Sequence, residues 1–150
     1  MFDIEAKNCF DRAEKNYKDA LRCIDESKYA EAVDKFHDLI ENALKTLLNL
    51  YEIPYKPTHN IIDLLPKIVE KMQKDDPNFY IYSETVLPPF FAIHKILNGI
   101  RNMARYGYCG LSPDRIFNEG LATSIRMMIE TNYRLIKGWI VELFYNKENL

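Results

Sequence analysis

The feature that most constrains the fold is the spacing of apolar residues, which recur at steps of three and four in one segment after another. Over about residues 3–26, Phe10, Ala13, Tyr17, Leu21 and Ile24 lie on one stripe, and Asp11, Arg12, Lys15, Lys18, Asp19 and Arg22 lie off it. That period belongs to a helix with one buried face. Ser27 is the expected N-cap of a second helix, which runs to about Tyr51 with Tyr29, Val33, Phe36, Ile40, Leu44 and Leu47 inward. The short break between the two makes an antiparallel hairpin. With 5 glycines and 7 prolines, the 150-residue chain lacks the turn formers of an all-β sandwich or barrel. It also has no Gly-rich phosphate loop and no Val/Ile strand run, which argues against a doubly wound α/β fold.

The rest of the chain reads the same way. Residues 52–58 contain two prolines and end in Thr58, an expected N-cap for a third helix carrying Ile61, Ile62, Leu65, Ile68, Val69 and Met72. Pro66 inside it predicts a kink, and Asp75-Asp76-Pro77 ends it. Residues 78–88 include Phe79, Tyr80, Ile81 and Tyr82, which have strand propensity but no partner strand, so they read as loop or a short helical turn. Pro88-Pro89 suits the start of a fourth helix, to about Tyr106. Gly107, Gly110, Ser112 and Pro113 form a loop, and a last helix begins near Asn118. The expectation is all-α: an antiparallel, up-and-down bundle of about five helices forming a single domain over residues 1–150. At 47% apolar and 28% charged, such a chain can bury a core without disulfides or a structural metal.

Three cysteines, Cys9, Cys23 and Cys109, with no C-x-x-C spacing, read as reduced thiols rather than a disulfide framework or a zinc site. The N-terminal MFDIEAKN is acidic and amphipathic, unlike a secretory signal. No apolar run approaches the ~18 residues of a membrane span. A cytoplasmic protein away from membranes is expected. No metal-ligand cluster and no cofactor motif is visible in the sequence.

Charge is unevenly spread. Residues 1–84 hold 12 Lys/Arg and 17 Asp/Glu; residues 85–150 hold 8 and 5. The 29 residues from Thr85 to Pro113 contain no acid. On a wheel of the fourth helix, His94, Lys95, Asn98, Arg101, Asn102 and Arg105 fall on one side. Ala92, Ile93, Ile96, Leu97, Ile100, Met103 and Ala104 fall opposite. A stripe of Arg, Lys, His and Asn with no carboxylate in its own helix suits phosphate, because Arg offers a planar fork and Asn adds donors and acceptors. The competing reading is an ordinary solvated helix face.

At the end of this helix, Arg101-Asn102-Met103-Ala104-Arg105-Tyr106-Gly107 resembles the signature helix of the HEPN family (higher eukaryotes and prokaryotes nucleotide-binding domain). Ala32 to Leu48 resembles that family's second helix, Pro57 to Leu65 its Thr/Ser-His start of helix three, and the helix after Phe117-Asn118-Glu119 its C-terminal helix. The resemblance implies a helical bundle, often a homodimer, with the polar helix end lining a cleft between protomers. Many members are metal-independent ribonucleases of toxin or defence systems and carry Arg-x(4–6)-His here. Arg101 matches the Arg, but Tyr106, Gly107 and Tyr108 occupy the His spacings. A tyrosine with pKa near ~10 is a poor general base at neutral pH.

The resemblance therefore implies, first, binding of a nucleotide or RNA phosphate, or of a nucleotidyltransferase-type partner, through Lys95, Asn98, Arg101, Asn102 and Arg105. A second reading is a metal-independent endoribonuclease using Arg101 with His94 or Tyr106. A third is a non-catalytic protein-interaction bundle. His94 reads as a surface imidazole two turns from Arg101, His59 as a residue that caps or packs at a helix start, and His37 as a core-edge residue. Glu41 and Lys45 read as an i,i+4 pair. Tyr80, Tyr82, Tyr106 and Tyr108 are candidates to stack on bases.

Overall fold

The computed structural model describes residues 2–57 and 60–148, and all of its elements are helical. Helices α1 (Phe2–Asp25) and α2 (Tyr29–Leu50) form the expected hairpin. A 3-10 turn (Ile61–Leu64) leads into α3 (Leu65–Asp75), followed by α4 (Phe79–Thr85), α5 (Leu87–Tyr106), the one-turn α6 (Pro113–Ile116) and α7 (Glu119–Glu148). The bundle is built around α2, which packs against α1, α5 and α7. Its fully buried Phe36, Leu39, Ile40, Leu44, Leu47 and Leu48 make the centre of the core together with Ile68, Met72, Phe90, Leu97, Ile129 and Trp139.

The α1 stripe is narrower than the spacing of large side chains suggested. Its buried line is Ala6, Cys9, Ala13, Ala20 and Cys23, while Phe10, Tyr17 and Ile24 are only partly buried at its edge. Small side chains let two helix backbones approach closely, so this line is the natural seam against α2. Cys9 and Cys23 are buried and Cys109 is exposed; all three are free thiols.

Ser27 is not an N-cap. It lies at φ +60° in the turn that ends α1, where Lys28 N–H donates to Cys23 C=O at 2.7 Å and Ser27 N–H to Ile24 C=O at 3.0 Å. These paired bonds satisfy the carbonyls left open at a helix C-terminus. Glu52, at φ +56°, closes α2 in the same way: Ile53 N–H donates to Leu48 C=O and Glu52 N–H to Asn49 C=O. Both turns use a left-handed residue other than glycine, so the glycine signal for a helix end was absent from the sequence at both places.

Pro66 does not kink a helix. It lies in the first turn of α3, where its missing N–H costs nothing. Residues 79–85, read as loop or a short turn, form α4. Tyr82 stacks on Trp139 with ring centroids 4.8 Å apart and hydrogen-bonds Glu142, while Trp139 Nε1 donates to Tyr51 Oη at 3.2 Å and Tyr51 Oη to Asp76 at 2.7 Å. Tyr82 is therefore a packing residue, whereas Tyr80 is exposed. Thr58, read as an N-cap, and His59 lie outside the described residues. Among the described residues, no helix is long and apolar enough to cross a membrane.

Candidate functional site

The site lies between α2 and α5. On α2, Asp34, His37, Asp38, Glu41, Asn42 and Lys45 fall at steps of three, one, three, one and three, which puts them along one side of the helix. On α5, His94, Asn98, Arg101 and Arg105 recur at four, three and four. The two polar lines face each other across a cavity of about 460 Å³, open to solvent and lined also by Pro57, Asn60 and Ile61.

This arrangement changes the reading of the α5 stripe. The buried side of α5 is carried by Phe90, Ile93, Leu97 and Ala104, and it includes His94, which is 1% exposed and not a surface imidazole. Ile96, placed on the inward arc by the wheel, is half exposed. The acid-free stripe is also not free of acid in space. Arg105 Nε donates to Asp34 Oδ1 at 2.8 Å, with Arg101 Nε at 3.9 Å from the same oxygen. The first half of the chain thus supplies the carboxylates that the Thr85–Pro113 segment lacks.

Of the residues proposed from the sequence, Asn98 and Arg101 line the cavity, His94 lies buried against Glu41, and Arg105 is held on Asp34. Lys95 and Asn102 are exposed and do not line the cavity, and Tyr106 is 79% exposed at the end of α5. The structure adds His37, Asp38, Glu41, Asn42 and Lys45. Their signal was present as a run of polar residues inside the otherwise apolar α2. It went unread because each had a local explanation, Glu41 and Lys45 as a helix pair and His37 as a core-edge residue. His37 is indeed buried at 1% exposure.

The cavity floor is tightly coupled. His94 Nε2 stands 3.0 Å from Glu41 Oε1, and the two imidazole rings, His37 and His94, are 6.0 Å apart at 43°. Burial opposes ionisation of Glu41. The His94 hydrogen bond and the charges of His94, His37 and Lys45 outweigh it and hold the carboxyl below its ordinary range. Asp38 behaves alike: burial pushes it up, and the nearby His37, Arg101 and Arg105 bring it down. Three buried nitrogens have no hydrogen-bond partner among the described residues: His37 Nε2, His94 Nδ1 and Arg101 Nε, the last 3.9 Å from Asp34. Buried polar atoms are normally satisfied, so three such atoms gathered between two helices set this seam apart from the rest of the core. The sequence showed no metal-ligand cluster; in the fold, His37, Glu41 and His94 bring one donor atom each to within 4.8 Å of one another.

α5 ends where the signature-like segment ends, for a backbone reason. Gly107 has φ +79°, and a Cβ there would stand 2.1 Å from Leu111 C=O. Tyr108 and Leu111 exchange N–H···O bonds of 3.0 and 2.9 Å around Cys109-Gly110, at φ +50° and +76°. That two-residue turn needs left-handed backbone at both central positions. The HEPN domain model matches residues 6–116, from α1 to the end of α6 and including every residue of the cavity. The chain belongs to the HEPN domain family. That assignment supports a nucleotide-binding or ribonuclease-type domain in general terms, and HEPN domains often dimerise and bind RNA. α7 lies beyond the matched residues. No curated protein and no solved structure matches the chain.

Proposed function

We propose that this HEPN domain binds a nucleotide, free or as the phosphate-ribose unit of RNA, in the cavity between α2 and α5. The observation that carries the reading is the mixed lining, with Arg101 and Lys45 on one hand and Asp38, Glu41 and three Asn side chains on the other. A bare anion gains little from a site whose cations are balanced by carboxylates. A nucleotide presents both halves: phosphate oxygens that accept from guanidinium and ammonium, and ribose hydroxyls that donate to carboxylate and amide oxygens. Arg101 is the proposed phosphate contact, because its Nε is unspent and Asp34 is beyond hydrogen-bond reach at 3.9 Å. Asn98 is proposed to position the ligand. Arg105 would act through the field it shares with Arg101, and Lys95 and Asn102 would touch only a longer RNA passing over the exposed side of α5.

The endoribonuclease alternative, with Arg101 and His94 or Tyr106 as its groups, has less behind it. His94 is turned to Glu41, and the Tyr106 hydroxyl is in solvent at the helix end. The deciding measurement is calorimetric titration of nucleoside monophosphates, inorganic phosphate and a short RNA into the EDTA-treated chain. The nucleotide and the RNA should bind, and inorganic phosphate should bind far more weakly. Arg101→Ala should weaken nucleotide binding about tenfold or more, the loss of one charge-assisted contact. It should change stability by no more than about 1 kcal/mol, because the side chain is partly exposed and its ion pair with Asp34 is long. Equal nucleotide affinity in parent and variant would sink the assignment, and RNA cleavage lost in Tyr106→Phe with binding intact would replace it with the nuclease reading.

A further inference from the structure

We propose that His37, Glu41 and His94 form a binding site for one divalent ion of the zinc class at the floor of the α2–α5 cavity. The inference shares that cavity with the nucleotide reading but stands on separate atoms. Three groups, two imidazoles and a carboxylate, each offer one donor within 4.8 Å of the others. His37 and Glu41 are at i and i+4 on α2, the spacing that puts two ligands on one helix face, and His94 comes from the facing helix. Two ligands of one zinc ion, each ~2.0–2.1 Å from it, stand about 3–3.5 Å apart. His94 Nε2 and Glu41 Oε1 are at 3.0 Å already, so only His37 has to close in.

The second observation is what burial has done to the imidazoles. Both are 1% exposed, yet His37 Nε2 and His94 Nδ1 have no partner. His37 Nδ1 faces Asp38 Oδ1 at 3.5 Å, an outer carboxylate of the kind that keeps the proton on one ring nitrogen and the lone pair on the other. A cation on the Nε2 lone pair would satisfy it. At His94 the ion would take the Nε2 lone pair, and the ring would stay neutral by carrying its one proton on Nδ1, so the proton is moved within the ring rather than lost. Two neutral imidazoles and one carboxylate leave a bound zinc with a single positive charge and a fourth position for water or a phosphate oxygen. Magnesium and calcium, which take oxygen ligands, do not suit the set. The thiols are elsewhere: Cys9 is against Asn49 and Tyr55, Cys23 is buried at the end of α1, and Cys109 is in the exposed turn after α5.

The test uses the untagged full chain, stripped with EDTA and titrated with zinc chloride by calorimetry, with cobalt(II) as a spectroscopic probe. One ion per chain should bind. The cobalt form should show visible ligand-field bands without a near-ultraviolet thiolate charge-transfer band. His37→Ala and Glu41→Gln should each weaken zinc binding by about a hundredfold or more, at least the loss known for outer-shell partners, and Cys109→Ser should leave it unchanged. Circular dichroism checks that each variant folds; Glu41→Gln, which keeps the side-chain shape, carries the test if His37→Ala does not. No saturable binding, binding that survives Glu41→Gln, or binding lost in Cys109→Ser would overturn the site. Nucleotide titration in EDTA separates the two readings: nucleotide binding without zinc binding sinks this inference alone, and zinc binding without nucleotide binding keeps it and sinks the other.

Discussion

Along the flank of α2 that meets α1, the contact is made by Ala6, Cys9, Ala13, Ala20 and Cys23; along the flank that meets α5, His37, Asp38 and Glu41 face His94, Asn98 and Arg101. The first seam is a line of small, buried side chains, with Asn49 of α2 reaching Cys9 within it. The second is polar, holds a cavity of about 460 Å³ and keeps three buried nitrogens without a hydrogen-bond partner among the described residues. One helix thus serves two purposes on its two sides. The α1 seam packs small buried side chains against α2, whereas the α5 seam carries polar groups whose burial is unfavourable unless they are paired. The contact between α1 and α7 lies between these extremes. It is bridged by long side chains: Tyr17 to Glu130 at 2.7 Å, Tyr133 to Glu14 at 2.7 Å and Lys137 to Glu14 at 2.8 Å.

The largest expected effect comes from filling the small-residue seam. Ala13→Leu should lower stability by up to about 3 kcal/mol, because a well-packed line has no room for three more carbons. Chemical denaturation measures it. If the variant is as stable as its parent, the α1 seam is loose and the contrast between the flanks fails.

A smaller loss, about 1–2 kcal/mol, is expected for Gly107→Ala, since the new Cβ would meet Leu111 C=O in a left-handed conformation. Because Gly107 sets where α5 stops, nucleotide affinity should fall too. Loss of stability with unchanged affinity would show that the cavity does not depend on the end of α5.

The α1–α7 bridges predict a pH dependence. Burial pushes Glu14 up, but hydrogen bonds from Lys137 and Tyr133 hold it below its ordinary 4.5; Tyr17 and Arg126 do the same for Glu130. A carboxyl with a depressed folded pKa contributes stability above its unfolded value and loses it as pH falls through the folded one. The denaturation midpoint should therefore hold steady from about pH 7 to about pH 5 and fall below about 4.5. Glu14→Gln should flatten that fall; an unaltered profile would remove Glu14 from the account.

The smallest effect is expected at the mouth of the polar seam. Asp34→Asn removes the partner of Arg105 from a partly exposed pair, which changes stability by about 1 kcal/mol or less. It also unmasks the two arginines, so nucleotide affinity should rise. A fall in affinity would mean that Asp34 positions Arg101 rather than competing with the ligand for it.

The extent to which this was legible in the sequence differs by element. The α1–α2 hairpin, the start of α5 at its proline pair and the long last helix follow from periodicity, because burying one face of a helix leaves a record every three to four residues. The ends of the first two helices were legible to within a residue, but not how they close: Ser27 and Glu52 take left-handed backbone, and neither is the glycine that such positions favour. α4 was obscured because its aromatic residues favour a strand; what holds Tyr82 in a helix is the indole ring of Trp139, some sixty residues away.

By itself the sequence determined an all-α chain, its helix-forming periodicity, its uneven charge and a resemblance to the HEPN family that the family model bears out over residues 6–116. Only the tertiary structure decided which polar residues matter. A helical wheel knows one helix, so it could rank His94, Arg101 and Arg105 by angle but could not see Asp34 and Glu41, which are 71 and 53 residues from Arg105 and His94. Whether a charge on α5 is free, paired or buried depends on what the neighbouring helix places against it, and that is a property of the packing, not of the period.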